Sequence, residues 1–505
     1  MKIRNFLYKI LSMIVQFLVS VWFTRLIVGT LSETANGYYV LSNDFVNYAT
    51  VISVALNSMA IRYVTISYHK CNYKDTNRFF NTIFFGNIII SIILLPPITY
   101  LVFNIDRYIS IPIFQVYDVK GLFLCVLLNF IFNLICSVFS ITLITKNRID
   151  LDSIRIIESN VIKLILVTFL FYFFTPKLWM VGISVFISSI YVFTRNYAYT
   201  KLYLPEVELF NLKYFSKKHI KELLSSGIWN SYTKIGAILL CGLDLLIANK
   251  FISIYYMGIL SIIKIIPKYF LVSVGSITSV FTPEILISYA KNDITKVIRL
   301  ITLSIKINSI IAIVFFVILV TMGKSLYVLW LPTQNSELLF MLTVFSSIGI
   351  AFVVPFEGIW TIFTATNRVK TSSVYLFLES ILTVSTVFFL FCIYDDEYVR
   401  LLILTITSSA FEVIRGVLFL PISGACLLGV DRFVFYKSIR KVFCGFCYSI
   451  IPCLFISSVF TTDSWVAFCL LFFIVIAVSI SASFLTIMDK SERDVLLLKF
   501  KNTFF

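Results

Sequence analysis

Polar residues interrupt this chain at nearly regular intervals. Between the interruptions run stretches of about 20 mostly apolar residues, the length a helix needs to cross a hydrocarbon core about 30 Å thick. Fourteen such stretches can be drawn, at residues 6–28, 38–60, 79–103, 121–145, 156–174, 178–199, 223–248, 257–281, 300–322, 338–363, 373–394, 399–422, 442–460 and 465–488. The connections average about 13 residues, which leaves no room for a soluble catalytic domain. The expected fold is an all-α integral membrane protein with about fourteen transmembrane helices.

Composition agrees with that pattern. Of 505 residues, 59% are hydrophobic, 17% aromatic and 13% charged, whereas soluble domains carry about a quarter charged residues. The formal charge of +16 gains meaning only once the basic residues are located. With the N-terminus inside, about 28 of the 42 Lys and Arg fall in cytoplasmic segments, about 5 in outer loops and about 9 in the spans. The positive-inside rule then puts both termini in the cytoplasm. The segment from Arg195 to Glu222, with Lys201, Lys213, Lys217, Lys218 and Lys221, is the most basic, and Asp395, Asp396 and Glu397 form an acidic outer turn. The charge excess reports topology and contact with anionic lipid headgroups, and nucleic acid is not an expected partner. Lys2 and Arg4 precede the first apolar stretch as in a signal peptide. No small-residue cleavage site follows, and Trp22, Phe23 and Arg25 extend the stretch to spanning length, so an uncleaved first helix is expected.

Candidate cofactor chemistry is sparse. Of ten cysteines, Cys71 alone sits in a clear loop, while Cys125, Cys136, Cys241 and Cys453 lie in or beside apolar helices. Cys444 and Cys447 form a C-x-x-C without a second ligand pair, and the two histidines, His69 and His219, both belong to loops. Neither a metal site nor a cofactor is expected. Gly-rich phosphate loops, nucleophile elbows and His-Glu metal motifs do not occur, so no catalytic residue is assigned, although their absence does not exclude a membrane enzyme.

Two stretches look related. Arg25-Leu-Ile-Val leads to Asn36-Gly37-Tyr38-Tyr39-Val40-Leu41, and Asp244-Leu-Leu-Ile-Ala leads to Met257-Gly258-Ile259-Leu260. Each is a long span, a short outer loop, then a glycine opening the next helix. Taken as a repeat, this divides the chain into two six-helix lobes, 1–200 (spans one to six) and 201–422 (spans seven to twelve), with 423–505 adding two C-terminal helices and a cytoplasmic tail.

An ionisable residue at membrane depth costs from about 2.5 kcal/mol upward, so each is a functional candidate unless it snorkels or pairs. The candidates within the spans are Arg25, Asp44, Lys163, Lys234, Asp244, Lys264, Lys268, Lys306, Glu357, Glu379, Glu412 and Arg415, whereas others such as Lys9 and Arg400 stand near span ends and need no special function. Lys264 and Lys268 share one face of span eight, and Pro267 between them weakens the local backbone bonding, giving a cationic, bendable surface. Asn43, Asp44 and Asn47 make a polar face on span two, close in depth to Arg25, either as a structural ion pair or as a pair that responds to substrate or ion. Asp244 occupies in the repeat the place of Arg25, which suggests a gate, and Lys234 lies nearer the middle of the membrane. Glu357, between Pro355 and Gly358, suits a cation or proton site. Glu412 and Arg415, three apart on span twelve, are expected to satisfy each other.

Several segments carry a likeness: Asn36-Gly-Tyr-Tyr-Val-Leu-Ser with Ala55-Leu-Asn-Ser-Met-Ala-Ile-Arg-Tyr-Val64, Gly227-Ile-Trp-Asn230 leading to Gly242-Leu-Asp-Leu-Leu-Ile-Ala248, Met257 to Pro267, and Leu329-Trp-Leu-Pro332. In order and helix number they resemble the polysaccharide (O-antigen) flippases, the Wzx-type branch of the multidrug/oligosaccharidyl-lipid/polysaccharide exporter superfamily. The resemblance covers most of residues 1–370. It implies alternating-access translocation of undecaprenyl-diphosphate-linked oligosaccharide across the bacterial inner (cytoplasmic) membrane for lipopolysaccharide biosynthesis. The implied partners are the lipid-linked oligosaccharide, membrane lipids, a polysaccharide polymerase and a chain-length regulator. A diphosphate headgroup needs cations in a cavity, and the intramembrane basic residues outnumber the acidic ones. Arg25, Lys234, Lys264 and Lys268 are the expected headgroup contacts, with Asp44, Asp244 and Glu357 in gating or ion coupling. Two other readings stay open: a drug or cation exporter of the same superfamily, with a more acidic cavity and usually twelve helices, and an O-antigen polymerase, which typically has a large outer loop.

Overall fold

The computed structural model describes residues 2–460, 462, 464–490, 492 and 493. Most of the tail expected after span fourteen, and the side chains of Lys2, Arg4 and Cys241, lie outside the described residues. Among those described, all regular structure is helical. Each apolar stretch forms one helix long enough to cross a membrane: Leu7–Thr30, Glu33–His69, Tyr73–Phe103, Ile113–Thr145, Ile149–Phe173, Leu178–Tyr203, Gly227–Phe251, Ile254–Thr278, Ile294–Trp330, Ser336–Ala365, Val369–Phe391, Glu397–Leu428, Val434–Val459 and Trp465–Ile487. These are spans one to fourteen. The fourteen-helix expectation holds.

Several helices outrun their apolar stretches. Span nine has 37 residues, about 55 Å at 1.5 Å per residue, because backbone bonding continues past the hydrocarbon into charged turns such as the one with Lys296 and Arg299. Side-chain caps begin the helices: Ser32 accepts from the Ala35 amide at 3.1 Å and Asp293 from Lys296 at 3.0 Å. Taking "inner" as the side of the basic connections, one stop signal recurs at inner ends. Cys71, Asn147, Asn292 and Asn367 have φ of 57°, 53°, 57° and 55°. The next residue's amide reaches back five positions: Asn72 to Ser67, Arg148 to Leu143, Asp293 to Ser288 and Arg368 to Phe363, at 2.8–3.0 Å. This is the Schellman closure of a helix.

The chain forms two compact units, Met1–Ile262 with Ser373–Val384, and Ile263–Ser372 with Ser385–Phe505. In the first, the inner ends of spans two, three, four and six enclose an aromatic core around Phe80, Phe84 and Phe139. Deeper in the membrane Asn57, Asn87 and Ser137 join spans two, three and four, with Asn57 and Asn87 exchanging bonds at 2.8 and 3.0 Å and Asn87 donating to Ser137 at 3.1 Å. Such interhelical bonds replace the hydrophobic drive that lipid does not supply. In the second unit, span nine is the spine. Its Ile310, Ile313 and Val317 pack with Cys453, Leu471 and Val475 of spans thirteen and fourteen, and its inner part packs with Phe356, Ile359 and Phe363 of span ten.

Candidate functional site

Spans two, four, seven, eight, ten and twelve are each broken within their length. In span eight the α-helix stops at Ile263 and restarts at Ile265, because Pro267 offers no N–H to the carbonyl four residues back. Span ten passes through a 3-10 stretch at Val354–Ile359 that contains Pro355. Spans seven and twelve contain π-helical turns at Ile238–Gly242 and Arg415–Phe419. Irregular backbone at membrane depth is tolerated where protein or water satisfies it, and π-turns are frequent at functional sites. The ionisable residues gather at these breaks: Lys264 between the two parts of span eight, Asp244 just beyond the π-turn of span seven, Glu357 inside the 3-10 stretch, and Arg415 opening the π-turn of span twelve.

In the first unit the polar face of span two meets span seven, antiparallel to it. Ser231 donates to the Val51 carbonyl at 3.0 Å, and the Lys234 ammonium donates to Asn47 at 3.4 Å. The Tyr48 hydroxyl donates to the Gly242 carbonyl. Asp44 and Asp244 both lie within electrostatic reach of Tyr48. Gly227 permits this approach, since a Cβ there would lie 2.0 Å from the Ala55 carbonyl oxygen. Two candidate gating carboxylates are thus brought to one phenol, and Lys234 reaches Asn47, the residue that precedes that tyrosine. Arg25 stands apart. It is half-buried and makes no ion pair or hydrogen bond with a described residue, so the pairing of Arg25 with Asp44 weighed from the sequence does not form. Depth alone suggested that pair; Asn47 and Tyr48 instead turn the polar face of span two toward span seven.

Other polar residues of this unit had been found in the sequence but given no role. The Lys163 ammonium lies 4.7 Å from the centroid of the Phe23 ring, a cation–π contact two residues from Arg25. Glu379, 3% exposed, belongs to the part of span eleven that docks on span seven through Thr233 and Ser373, 2.7 Å apart, and the Tyr232 and Phe377 rings, 5.1 Å apart.

In the second unit Lys264 and Lys268 are one turn apart, and the Lys268 amide bonds the Lys264 carbonyl at 3.2 Å. Lys264 is half-buried and Lys268 exposed. Arg415 lies 3.5 Å from Glu412, the pair foreseen in the sequence. It also lies within electrostatic reach of Glu357 on span ten, a proximity that helix periodicity within span twelve cannot reveal. Lys306, 5% exposed, is clamped by Asp489 at 2.8 Å and Glu492 at 2.7 Å, which assigns it a structural role. Among the described residues no group of His, Cys, Asp and Glu is arranged to hold a metal ion.

No protein-family profile matches the chain. It is 25% identical over 512 residues to the "Uncharacterized membrane protein EpsK" of Bacillus subtilis (strain 168), covering 99% of this chain and 98% of that protein. Among solved structures it resembles an inward-facing multidrug resistance MATE family transporter of the MOP superfamily, with a TM-score of 0.67 and 11% identity over 84% of this chain and 99% of that one. It also resembles the lipid II flippase MurJ in an inward closed conformation, with a TM-score of 0.65 and 17% identity over 98% of this chain and 100% of that one. Both are transport proteins. At such identities the likeness establishes a fold, and that fold is the one these MOP-superfamily transporters share.

Proposed function

We propose that the chain is a flippase that carries an undecaprenyl-diphosphate-linked oligosaccharide, of the O-antigen type, across the bacterial inner membrane by alternating access. The observation that carries this reading is Arg25. A guanidinium within a membrane span costs at least about 2.5 kcal/mol, and this one has no counter-ion among the described residues. An anionic substrate headgroup would supply one. Lys234, Lys264 and Lys268 complete the proposed set of headgroup contacts, Asp44 and Asp244 gate around Tyr48, and Glu357 beside Arg415 couples transport to a cation or proton. The lobes would be residues 1–200 and 201–422, with 423–505 as an addition, both termini in the cytoplasm, and a polysaccharide polymerase and chain-length regulator as partners. A lipid substrate is favoured over a drug by coverage: the lipid II flippase accounts for 98% of this chain and the drug transporter for 84%.

The test is a deletion strain complemented with Arg25→Ala or Arg25→Lys, matched for protein level, in which surface polysaccharide and the lipid-linked intermediate are both measured. Removing a charge-assisted contact of about 1.5–3 kcal/mol should slow export roughly tenfold or more, and Arg25→Lys should retain part of it. Wild-type export by Arg25→Ala under limiting expression overturns the headgroup assignment. A deletion strain with normal polysaccharide and new drug sensitivity replaces the flippase with an exporter.

A further inference from the structure

At the inner end of the first unit a cavity of about 750 Å³ opens between the turn that follows span two, the start of span three and the segment leading into span seven. It is separate from the gathering of Asp44, Tyr48 and Asp244, which lies toward the outer part of span two. Four cations line it, Lys70, Arg78, Lys213 and Lys218, against two carboxylates, Asp75 and Glu222. Arg78 is 3.4 Å from Asp75. Lys70, Lys213 and Lys218 have no carboxylate partner among the described residues.

The positive-inside rule accounts for basic residues on this side, but not for their placement around a built concavity. The basic segment is held along span three by buried asparagines. Asn77 donates to the Glu206 carbonyl at 2.9 Å and accepts from the Glu208 amide at 2.6 Å. One turn on, Asn81 donates to the Glu208 carbonyl at 2.8 Å and accepts from the Asn211 amide at 3.0 Å. Thr82 then accepts from the Ser216 amide at 3.1 Å. Asn77 and Asn81 are 4% and 0% exposed, so each ties the segment down from the protein interior.

Ser216 precedes the helix Lys217–Ala237 but its side chain does not cap it. Its hydroxyl bonds Nδ1 of His219 at 2.8 Å instead, and the His219 ring meets Phe79 edge-on at 4.5 Å between centroids. Burial lowers the His219 pKa, against the pull of Asp75 and Glu222 and with the push of Arg78 and Lys218, so at neutral pH the ring is a wall rather than another cation. The positive end of a 21-residue helix adds to the field of the lysines.

We propose that this cavity binds a phosphoryl-bearing anion, either the headgroup of an anionic phospholipid or a soluble phosphate compound. The chemistry is common to both: a compact anion of charge about −1 to −3, met by a net excess of two cations and by hydroxyl and amide donors. Ile66, 44% exposed at the lining, offers apolar contact to a lipid's glycerol and acyl chains. The ligand would join the inner ends of spans two, three and seven. Spans two and seven are the pair that carries Asp44, Tyr48, Lys234 and Asp244, so occupancy braces the helices of the proposed gate without touching the transported headgroup.

The test uses the full chain in nanodiscs with inorganic diphosphate as the soluble probe and phosphatidylglycerol as the lipid probe. Diphosphate affinity is measured in phosphatidylcholine discs, and retained phosphatidylglycerol is counted by native mass spectrometry after extraction from mixed discs. The variant Lys70→Gln/Lys213→Gln/Lys218→Gln is compared with Lys291→Gln/Arg299→Gln/Arg432→Gln, which removes the same charge from exposed sites of the second unit. Each lysine near an anionic surface contributes roughly fivefold, so the cavity variant should lose more than about tenfold and the control little. Glu222→Gln, which removes a carboxylate from the cavity, should bind more tightly than wild type. Loss in the diphosphate arm identifies a soluble ligand, and loss in the phosphatidylglycerol arm alone identifies a lipid. Equal behaviour of the cavity variant and the control in both arms, or no gain with Glu222→Gln in either, overturns the site. None of these readouts depends on transport, so the site can fail while the flippase reading stands, and the reverse.

Discussion

Gly258→Ala should destabilise the protein although alanine is the better helix former, because its effect is decided by a backbone contact. A Cβ at Gly258 would lie 2.7 Å from both the carbonyl carbon and oxygen of Glu33 and 2.9 Å from the amide nitrogen of Thr34. None of these atoms can rotate away, so the outer ends of spans two and eight must separate by several tenths of an ångström. Gly37 faces the same contact, its own Cβ position lying 3.1 Å from Gly258 Cα. Overpacking costs about 1–3 kcal/mol. Separation also loosens the buried bond from Asn36 to Ser261, now 2.7 Å, and an unsatisfied buried amide adds about 1–3 kcal/mol. Against this stands about 1 kcal/mol of helix propensity, so the net loss is roughly 1–5 kcal/mol. Gly275 is the control. It lies in the inner part of span eight with nothing within 4 Å of its Cβ position, and Gly275→Ala should gain up to about 1 kcal/mol from propensity alone. Thermal unfolding of the purified variants in one detergent should order them Gly258→Ala, wild type, Gly275→Ala from least to most stable. If Gly258→Ala melts with or above Gly275→Ala, the close approach of spans two and eight is absent and the reasoning fails.

Arg415→Leu should cost about 3–5 kcal/mol, because it removes the cation that pairs with Glu412 and acts on Glu357, in a span region where Arg415 and Glu412 are only 10% and 13% exposed. Adding Glu357→Gln and Glu412→Gln to Arg415→Leu should recover most of that loss in the same unfolding assay; no recovery disproves the shared-cation arrangement. Near the chain's C-terminal end, hydrogen bonds from Lys306 and then Lys441 hold the Asp489 carboxyl down at about 2, below the ordinary value of about 3.9. A depressed carboxyl stabilises above its unfolded pKa and ceases to as pH falls through its folded one, so the clamp should weaken between about pH 4 and pH 2. Acid titration of the melting temperature should show that component in wild type and lose it in Lys306→Met.

Fourteen spans were legible because each is an apolar run of membrane length, and that signal needs no tertiary information. The boundaries were less so: span nine begins at Ile294 rather than near residue 300, since Lys296 and Arg299 break hydropathy without breaking backbone bonding. Most of the ionisable candidates were visible one at a time as costly residues in apolar surroundings, but their partners were not. Periodicity places Glu412 next to Arg415 because both are on one helix. It says nothing of Glu357 lying within reach of that guanidinium's field, or of Lys306 bonding Asp489 and Glu492, because those interactions span 58, 183 and 186 positions of sequence. The basic segment before span seven was conspicuous by charge. Its attachment was hidden in Asn77, Asn81 and Thr82, three ordinary polar residues whose spacing puts them on one face of span three.

Left-handed turns follow spans two, four and ten and the short helix Thr282–Ala290 beyond span eight, and they bear on the repeat expected from the sequence. Spans two and eight are six apart, as are four and ten, and all four are also broken within their length. Thr145-Lys146-Asn147-Arg148 and Ala365-Thr366-Asn367-Arg368 share only Asn-Arg in register, yet both place asparagine in the left-handed region, with φ of 53° and 55°. Asparagine is tolerated there and glycine is unstrained, whereas a β-branched residue collides with the backbone at a cost of about 1–2 kcal/mol or more. Asn147→Gly and Asn367→Gly should therefore leave stability unchanged or raise it slightly, while Asn147→Val and Asn367→Val should each lower it by about 1–3 kcal/mol. Matching losses at the two positions would mean that both turns do the same work at equivalent places. Valine tolerated at both, with an unchanged melting temperature, would show that these helices do not end in the left-handed conformation and would remove the turns as evidence for the repeat.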